Sequence, residues 1–473
     1  MAIHFRNRLV CALVFGCMTA FLIFSAGSAT ADTGNTDTAA TTTFYFAEGY
    51  TGEGFQEYLC LGNPDDAMAE VEISYLFKDG STMPGAVNIP PDSRATVDVN
   101  AMAGPGMEVS IIVTSQQDIV AERPMYFSYN GKWSGGHDTV GATNPAYLWY
   151  FAEGYTGPGF DEWICVLNPN DEAASLNFFF QTQEEGLKVE TGLPVLPHSR
   201  ASFLVNDLLE GGSYQTSLTL SSNLPVVAER PMYFDYAGRG NGHWQGGHCV
   251  MGASALSKGY YFAEGTTRSG FEEWLTIQNP FPIDINVGAT YQLGEGQGGP
   301  VQTSYIVPAN TRRTVYVPDE VGAEKDVSVY LYSSSNFLAE RPMYFSYAGT
   351  GNYGWQGGHC VIGAGALSQE WFFAEGYTGP GFEQWLCIQN PSGEAATVTV
   401  EYYTQELGTV TGTSSPLVVP PDIRLTVNVN YDAGPDLQLS TRVTASADVV
   451  VERPMYFDFS GRDGGHDVVG YAR

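Results

Sequence analysis

Glutamate, arginine and histidine recur in this chain at positions where they could do chemistry. A glutamate recurs in Phe-Ala-Glu-Gly, and a histidine ends each Gly-Gly-His, at His137, His248, His359 and His466. Carboxylates and imidazoles serve as general acids, general bases and metal ligands. Each copy supplies only one such histidine, and the Cys/His spacing of a zinc site is absent from the sequence. We therefore predict no catalytic residue, no metal and no cofactor, and expect each histidine to be a hydrogen-bonded loop anchor.

The recurring glutamate is predicted to pair with an arginine. In residues 149–153 a period of two puts Glu153 on the face of Phe151, and in residues 226–234 it puts Arg230 on the face of Met232. Opposite charges on apolar faces should meet, because an unpaired buried charge costs about 3–5 kcal/mol. The expected ion pairs, each joining the first and last strands of one repeat, are Glu48–Arg123, Glu153–Arg230, Glu264–Arg341 and Glu375–Arg453.

A second arginine recurs after a proline turn and opens an alternating strand, as Arg94, Arg200, Arg312 and Arg424. Its expected role is to cap that turn or to pair with Glu122 and the counterparts of Glu122. The alternative is a ligand site for a sugar or a carboxylate, which suits the planar guanidinium.

Aromatic residues in and near glycine-rich loops are the candidate binding residues. Gly-Tyr-Thr-Gly-x-Gly-Phe occurs in three copies, and a tryptophan lies shortly before Gly-Gly-His in three. Tyrosine and tryptophan stack on sugar rings or protein partners at a low cost in side-chain entropy. Equally, these rings could plug the open ends of a sandwich. They are Tyr50, Phe55, Trp133, Tyr155, Phe160, Trp244, Trp355, Tyr377 and Phe382.

These patterns belong to one repeat. Phe-Ala-Glu-Gly begins at Phe46, Phe151, Phe262 and Phe373, and Glu-Arg-Pro-Met-Tyr-Phe and Gly-Gly-His follow in the same order each time. The predicted units are 44–142, 147–253, 259–364 and 371–473. Their connectors are short, so we expect the units to form a semi-rigid rod or arc.

Apolar residues alternate with a period of two inside each unit, which is typical of half-buried strands. Val398, Val400 and Tyr402, for example, alternate with polar residues. Seven or eight such strands and no helical period predict an all-β fold of four tandem immunoglobulin-like antiparallel β-sandwich units. A β-propeller fits less well, because a blade needs only about 40–50 residues. The proline of Glu-Arg-Pro predicts that its strand lies at an edge or carries a bulge.

The first 31 residues have the layout of a secretory signal peptide. Arg6 and Arg8 precede an apolar stretch over 9–24, and an Ala-x-Ala site precedes Asp32. The stretch is shorter than the roughly 20 residues that span a bilayer, so no membrane span is expected after cleavage. Residues 32–43 are typical of a flexible lead-in. We therefore expect a secreted or cell-surface protein.

Charge and cysteine content limit the partners and the cross-links. The chain carries 52 acidic and 21 basic residues, a formal charge of −31, which argues against nucleic acid as a partner. Among the five cysteines after the signal segment, only Cys165 and Cys249 occupy both recurring positions of one unit. A disulfide common to all units is thus excluded, a Cys165–Cys249 bridge stays open, and buried free thiols are expected.

Three phrases of this sequence resemble a known kind of repeat: Tyr-Phe-Ala-Glu-Gly-Tyr-Thr-Gly-x-Gly-Phe, Glu-Arg-Pro-Met-Tyr-Phe and Gly-Gly-His. They are similar to uncharacterised repeats in secreted, cell-wall-associated proteins of actinobacteria and neighbouring groups, sometimes appended to peptidoglycan hydrolases. The resemblance covers essentially the whole chain after the signal segment. It implies an extracellular accessory or surface module and carries over no ligand and no catalytic residue. No hydrolase domain accompanies the repeats here.

The expected function is that of a non-enzymatic, secreted or cell-surface repeat protein. It would bind glycans, cell-wall polymers or proteins multivalently, since linkage strengthens weak sites. A purely structural spacer or envelope component is the alternative. A more distant alternative is an accessory part of a carbohydrate-active or cell-wall enzyme system.

Overall fold

The computed structural model describes residues 41–239, 242–349, 353–405 and 407–473. The predicted signal peptide, residues 1–31, lies outside the described residues, as does most of the predicted lead-in 32–43. Strands make up 65% of the structure and helix 4%. The prediction of an all-β antiparallel sandwich fold is confirmed.

Repeat 1 forms two antiparallel sheets around an apolar core. Its elements are β1 (Thr42–Phe46), β2 (Phe55–Asn63), β3 (Ala69–Phe77), β4 (Thr82–Ile89), β5 (Ser93–Asp98), α1 (Val99–Ala103), β6 (Val109–Ser115), β7 (Val120–Glu122), β8 (Met125–Tyr129) and β9 (Trp133–His137). One sheet has the order β1-β6-β3-β4 and the other β5-β2-β8-β9, with β7 also beside β2. In β3, Val71 and Ile73 are buried and Glu70 and Glu72 are exposed, so the period of two sets the core face.

Repeats 2 to 4 repeat this plan with one long strand that serves both sheets. Repeat 2 contains β10 (Ala146–Phe151), β11 (Phe160–Asn168), β12 (Ala174–Thr182), β13 (Gly186–Val195), β14 (Ser199–Leu204), α2 (Val205–Leu208), β15 (Thr216–Ala237) and β16 (His243–Met251). The first half of β15 pairs with β12 and the second half with β11 and β16.

The remaining elements follow the same order. Repeat 3 contains β17 (Ser257–Phe262), β18 (Phe271–Asn279), β19 (Ile285–Leu293), β20 (Val301–Val307), β21 (Thr311–Tyr316), α3 (Val317–Val321), β22 (Val327–Ala348) and β23 (Gly354–Ile362). Repeat 4 contains β24 (Ser368–Phe373), β25 (Phe382–Asn390), β26 (Ala396–Thr404), β27 (Gly408–Thr411), β28 (Leu417–Val419), β29 (Ile423–Asn428), α4 (Val429–Asp432), β30 (Leu439–Phe459), β31 (Arg462–Val469) and β32 (Tyr471–Ala472).

The strand that carries Glu-Arg-Pro is interior, so the prediction of an edge strand or bulge is wrong. In repeat 2 it is β15, which lies between β11 and β16. Between β11 and β15, Glu162 pairs with Met232 and the next pair is Cys165 with Glu229. Arg230 and Pro231 are therefore unpaired on this side of the strand. The missing donor of the proline therefore falls at a gap in the ladder, where it costs no hydrogen bond.

Gly-Gly-His lies in a strand in every repeat, namely β9, β16, β23 and β31. β9 contacts β16 and β31, and β23 contacts the same two strands. A Cβ added to Gly135 would lie 3.3 Å from the Cα of Gly246, and one added to Gly464 would lie 3.2 Å from the Cα of Gly135. Glycine is required here because backbones of neighbouring repeats touch. The four repeats thus close into a ring with repeat 4 against repeat 1, and the expectation of a rod or arc is wrong.

Each repeat has an apolar core that extends into the preceding repeat. The core of repeat 2 includes Ala47 and Leu76 of repeat 1, and the core of repeat 3 includes Tyr150 and Ala152 of repeat 2. The burial of shared apolar surface therefore stabilises the ring as well as each sandwich. Within the described residues, no helix is long and apolar enough to cross a membrane.

A circular permutant is expected to fold. Both ends of the described chain reach one carboxylate: Thr42 Oγ1 donates to Asp118 at 3.0 Å, and Arg473 lies 2.8 Å from Asp118. Joining 473 to 42 by a short Gly/Ser linker and opening the chain at 254–256 only moves the covalent break from one contact between repeats to another. We expect a monomer whose Tm, measured by circular dichroism, lies within about 5 °C of wild type, which for a chain of this length corresponds to roughly 4–5 kcal/mol or less. An unfolded or oligomeric permutant would contradict ring closure.

Candidate functional site

The predicted Glu–Arg pairs lie at the contacts between repeats, which we call seams and number by the repeats they join (1/2, 2/3, 3/4 and 4/1). Three of the four expected pairs are present: Arg123 with Glu48, Arg341 with Glu264 at 2.8 Å, and Arg453 with Glu375 at 2.7 Å. Each arginine also reaches the glutamate of Glu-Arg-Pro in the next repeat. These contacts are Arg123–Glu229 at 2.7 Å, Arg230–Glu340 at 2.9 Å, Arg341–Glu452 at 3.0 Å and Arg453–Glu122 at 2.9 Å. The arginines therefore hold the ring together as well as each sandwich.

Seam 2/3 departs from the predicted pairing. Arg230 donates to the backbone carbonyl of Glu153 at 2.6 Å, while the Glu153 carboxylate lies 3.0 Å from Arg312 of repeat 3. The prediction of a Glu153–Arg230 carboxylate pair is therefore wrong. With Glu340 already beside it, Arg230 has its counter-charge, and Glu153 takes a partner on the other side of the seam.

The second recurring arginine binds the preceding repeat, which corrects the expected turn cap or Glu122 pair. Arg200 donates to the carbonyl of Gly49 at 2.7 Å, Arg312 to that of Gly154 at 2.8 Å, and Arg424 to that of Gly265 at 2.6 Å. Arg94 donates to Gln438 Oε1 at 3.1 Å across seam 4/1. All four side chains are therefore committed to seams.

The residue after Gly-Gly-His lies beside the glutamate of Glu-Arg-Pro and shares a proton with it. In repeat 2 the Cys249 thiol donates to Glu229 at 3.3 Å. Asp138 takes this position in repeat 1, beside Glu122. Burial, followed by the nearby Asp138 carboxylate, raises the pKa of Glu122 well above its usual value, so the two carboxyls share one proton. In repeat 3 the Cys360 thiol donates to Glu340 at 3.3 Å. In repeat 4 the aspartate holds the proton, because burial, followed by the nearby Glu452 carboxylate, raises the pKa of Asp467 well above its usual value.

The cysteines of the described residues are all free and buried. The Cys165–Cys249 bridge, which the sequence left open, does not form: Cys165 Sγ lies 3.5 Å from Ser202 Oγ. Burial raises the pKa of the Cys165 thiol to about 12, so this thiol stays protonated.

A further glutamate is buried in repeats 1 to 3, and the sequence reasoning missed it. The carboxyl oxygens of Glu57, Glu162 and Glu273 have no hydrogen-bond partner among the described residues. Burial raises the pKa of Glu57 and of Glu162 to about 8. Repeat 4 has Gln384 at this position, also fully buried. Glutamine is the uncharged isostere of a protonated glutamate. Repeat 4 therefore shows that an uncharged side chain of this shape fits the buried position.

The four histidines of Gly-Gly-His lie near the centre of the ring and are at most 2% exposed. His137 packs on Phe127 with ring centroids 5.8 Å apart. Neither ring nitrogen of any of the four has a hydrogen-bond partner within the described part of the chain, so the expected hydrogen-bonded loop anchor is wrong. Burial, followed by the charge of Arg123, holds the pKa of His137 well below its usual value. The imidazole is therefore neutral at physiological pH.

Two sets of buried side chains have ligand atoms within 4.8 Å of one another: Glu48, His137 and Cys249, and Glu264, His359 and Asp467. Such donors suit zinc. In each set, however, the glutamate already pairs with Arg123 or Arg341. The guanidinium supplies the positive charge at contact distance, so we assign these carboxylates to the seams and not to a metal.

Most of the predicted binding aromatics lie in the seams. Five of them are buried, which leaves little ring surface for a ligand: Phe55, Phe160, Trp244, Trp355 and Phe382. Phe55 contacts Tyr233 of the next repeat with centroids 6.3 Å apart, and Trp355 contacts Tyr456 at 6.1 Å. The prediction of exposed aromatic loops is wrong for these five, because their side chains pack against the neighbouring repeat in the seams. Tyr50, Trp133, Tyr155 and Tyr377 are half-buried.

A cleft of about 980 Å³ opens at seam 2/3. Its aromatic lining is Tyr155, Phe160, Tyr236, Trp274 and Tyr344, its amides are Gln183 and Gln215, and its charged groups are Glu153, Asp235, Arg312 and Arg313. Two of the nine predicted binding residues, Tyr155 and Phe160, line this cleft, and of the two only half-buried Tyr155 has ring surface free for a ligand. Trp274, Arg313 and Gln215 were missed; for Trp274 a signal existed, since tryptophan recurs there as Trp163 and Trp385.

The residue opposite the loop position of Tyr155 differs in charge between repeats. Gln215 bridges to Tyr155 across the strands, and the same position holds Glu108 in repeat 1 and Asp326 in repeat 3. Repeat 4 also has a glutamine there, Gln438, which accepts a hydrogen bond from Arg94. Glu108 binds Lys78 and Asp326 binds Arg268, both at 2.7 Å. An uncharged glutamine recruits no such cation in repeat 2, and Glu153 turns to Arg312 in the same seam.

Comparisons with known proteins give no function. A model described as a family of unknown function, DUF5719, matches residues 19–146, and no curated protein matches the chain. A Thermotoga maritima structure titled "Crystal Structure of Thermotoga maritima 1070" is 18% identical, with 22% of this chain and 95% of that chain covered and a TM-score of 0.21. The Anabaena sensory rhodopsin transducer is 25% identical, with 18% and 93% covered and a TM-score of 0.16. At these TM-scores neither likeness bears on the fold or the function.

Proposed function

We propose that this is a secreted, non-enzymatic glycan-binding protein whose ligand lies in the cleft at seam 2/3. The cleft itself carries the proposal. Its volume of about 980 Å³ falls at the upper end of ligand pockets, which span about 300–1,000 Å³. The signal-like N-terminal segment and the charge of −31 support an extracellular location.

The lining suits a sugar. Tyr155 and Trp274 are half-buried, and an aromatic ring with one free face can stack on the apolar face of a pyranose. Gln215 and the Glu153–Arg312 pair offer fixed donors and acceptors for hydroxyl groups. Tyr236 is held in place because its hydroxyl donates to Glu272 at 3.0 Å, so the site is preorganised.

One cleft replaces the expected set of equivalent sites. In repeats 1 and 4 the loop residues Phe55 and Phe382 pack into seams. The residues at the Gln215 position are ion-paired in repeats 1 and 3, and Gln438 of repeat 4 accepts from Arg94. We therefore favour a discrete site over multivalent adhesion by all repeats.

A structural envelope component is the second candidate function. The recurring arginines and glutamates all serve ring closure, as the contacts of Arg123, Arg341 and Arg453 illustrate. Under this alternative the cleft would bind no glycan.

Replacing Trp274 by alanine is expected to raise the Kd for the bound glycan about tenfold, which corresponds to a loss of about 1.4 kcal/mol of stacking and burial. The ligand would first be identified on a glycan array and then titrated calorimetrically. Tyr155→Ala should weaken binding similarly. Tyr377→Ala, at the same loop position of repeat 4, is the matched control and should leave Kd within about twofold.

Three outcomes would contradict this function. They are no glycan binding by the wild type, an equal loss in Tyr377→Ala, and a glycan that mass spectrometry shows to be shortened after incubation. Melting curves of each variant separate loss of binding from loss of fold.

A further inference from the structure

The cleft continues beyond Trp274 into a side cavity of about 240 Å³. The two cavities share Trp274, Arg313 and Thr314 as a common wall. The side cavity adds Tyr305 and Tyr316. A ligand that fills the larger cavity therefore has a second, aromatic-lined compartment next to it.

The Trp274 side chain separates the two cavities and is called the ridge below. Its ring lies 4.6 Å from that of Tyr316, at 47°. The Arg239 guanidinium lies 5.7 Å from the Trp274 centroid and 4.4 Å from that of Tyr316. Trp274 Nε1 is buried without a hydrogen-bond partner among the described residues. The ridge thus carries aromatic surface toward both cavities.

Across the two cavities four acidic side chains stand against three basic ones, because Arg313 lines both. In the larger cavity the acidic groups are Glu153 and Asp235 and the basic groups are Arg312 and Arg313. In the side cavity the acidic groups are Asp319 and Glu320 and the basic groups are Arg239 and Arg313. The cavities hold no excess of positive charge that would offset the formal charge of −31 on the chain. The electrostatic field of the protein therefore repels anionic ligands.

We infer that the ligand is an uncharged oligosaccharide chain of several sugar units that crosses Trp274 and occupies both cavities. This inference rests on the proposed function. A single sugar reaches only one side of the ridge, so affinity rises with chain length until both cavities are filled. Linking the two contacts in one chain makes the second contact intramolecular.

The test is calorimetric titration of the full chain with cello-, manno- and chito-oligosaccharides of one to six units, and with oligogalacturonides of the same lengths as anionic probes. For one neutral series, Kd is expected to fall at least tenfold from the disaccharide to a plateau. Tyr316→Ala removes ring surface that lines the side cavity and not the larger one; because Tyr316 also packs on Trp274, the disaccharide Kd reports whether Trp274 keeps its place. The variant should abolish this gain with length and leave disaccharide affinity within twofold.

Arg239→Gln is the second variant, because its side chain is 49% exposed and the change spares the fold. It should reduce the gain with length without affecting the disaccharide. Tyr431→Ala, a side chain that is 73% exposed and remote in sequence, should change nothing.

The outcomes distinguish this inference from the proposed function. Affinity independent of length, or tighter binding of oligogalacturonides, overturns the inference, while a tenfold loss in Trp274→Ala still upholds the glycan site. If no oligosaccharide of any series or of the array binds, the proposed function falls together with the inference.

Discussion

Replacing Arg453 by leucine is expected to lower the free energy of unfolding by about 3–5 kcal/mol. Arg453 lies 2.9 Å from Glu122, 2.7 Å from Asp138 and 2.7 Å from Glu375. These groups are buried, so removal of their shared cation leaves carboxylates that are neither hydrated nor paired. Seam 4/1 is also the one junction of the ring that no connector spans, so it should open first.

Urea unfolding followed by circular dichroism measures the loss, and limited proteolysis reports opening of seam 4/1. Arg442→Leu is the matched control: Arg442 pairs with Glu370 at 2.6 Å, but its side chain is 35% exposed, and such pairs contribute less than about 1 kcal/mol. Adding Glu122→Gln and Asp138→Asn to Arg453→Leu should restore part of the stability. Equal losses for Arg453→Leu and Arg442→Leu would show that the buried charges do not hold the seam.

Replacing Glu57, Glu162 and Glu273 by glutamine is expected to stabilise the protein at alkaline pH. Burial raises the pKa of Glu57 from 4.5 to about 8, so between these values the folded state holds a proton that the unfolded state has released. The stabilisation that comes from this bound proton is present in full below pH 4.5. It falls by up to about 1.4 kcal/mol per pH unit and per glutamate as the pH rises from 4.5, and it is lost as the pH rises through 8. Glutamine has no proton to lose.

Melting temperatures between pH 6.5 and 8.5 check this. The buried histidines, whose pKa values lie below the usual 6.5, contribute the same slope to wild type and triple variant, so the difference between the two profiles isolates the glutamates. The Tm of the triple variant should exceed that of wild type by an amount that grows with pH. Glu72→Gln, on the exposed face of β3, should follow the wild type. Gln384→Glu should steepen the fall. Parallel pH profiles for wild type and triple variant would rule out protonated glutamates at these positions.

Part of the candidate site could be predicted from local pattern. The period of two placed Glu48 and Arg123 on buried faces, and a buried cation must find a carboxylate within reach. The alternation pattern could not show that Arg123 would also pair with Glu229 of the next repeat, or that Glu153 would pair with Arg312. Those partners follow from the way whole repeats pack.

The Gly-Gly-His strands show why such packing escapes sequence reasoning. Adjacent glycines disfavour a strand, because they add backbone entropy and no packing surface. Here the neighbouring backbone fills the space that a side chain would occupy, so Gly135 and Gly246 lie in strands. The compensating contact comes from another repeat and leaves no local signal.

The sequence by itself determined the repeat, the all-β sandwich and the burial of recurring Glu and Arg, because alternation along one strand decides which side chains face the core. Only the tertiary structure decided that the repeats form a closed ring, that Tyr155 and Trp274 share a cleft, and that Phe55 and Trp355 are buried in seams. The contact of Arg453 with Glu122 joins residues 331 positions apart. Such contacts depend on how rigid units fit together, and that fit depends on the shapes of whole surfaces, which no short stretch of sequence contains.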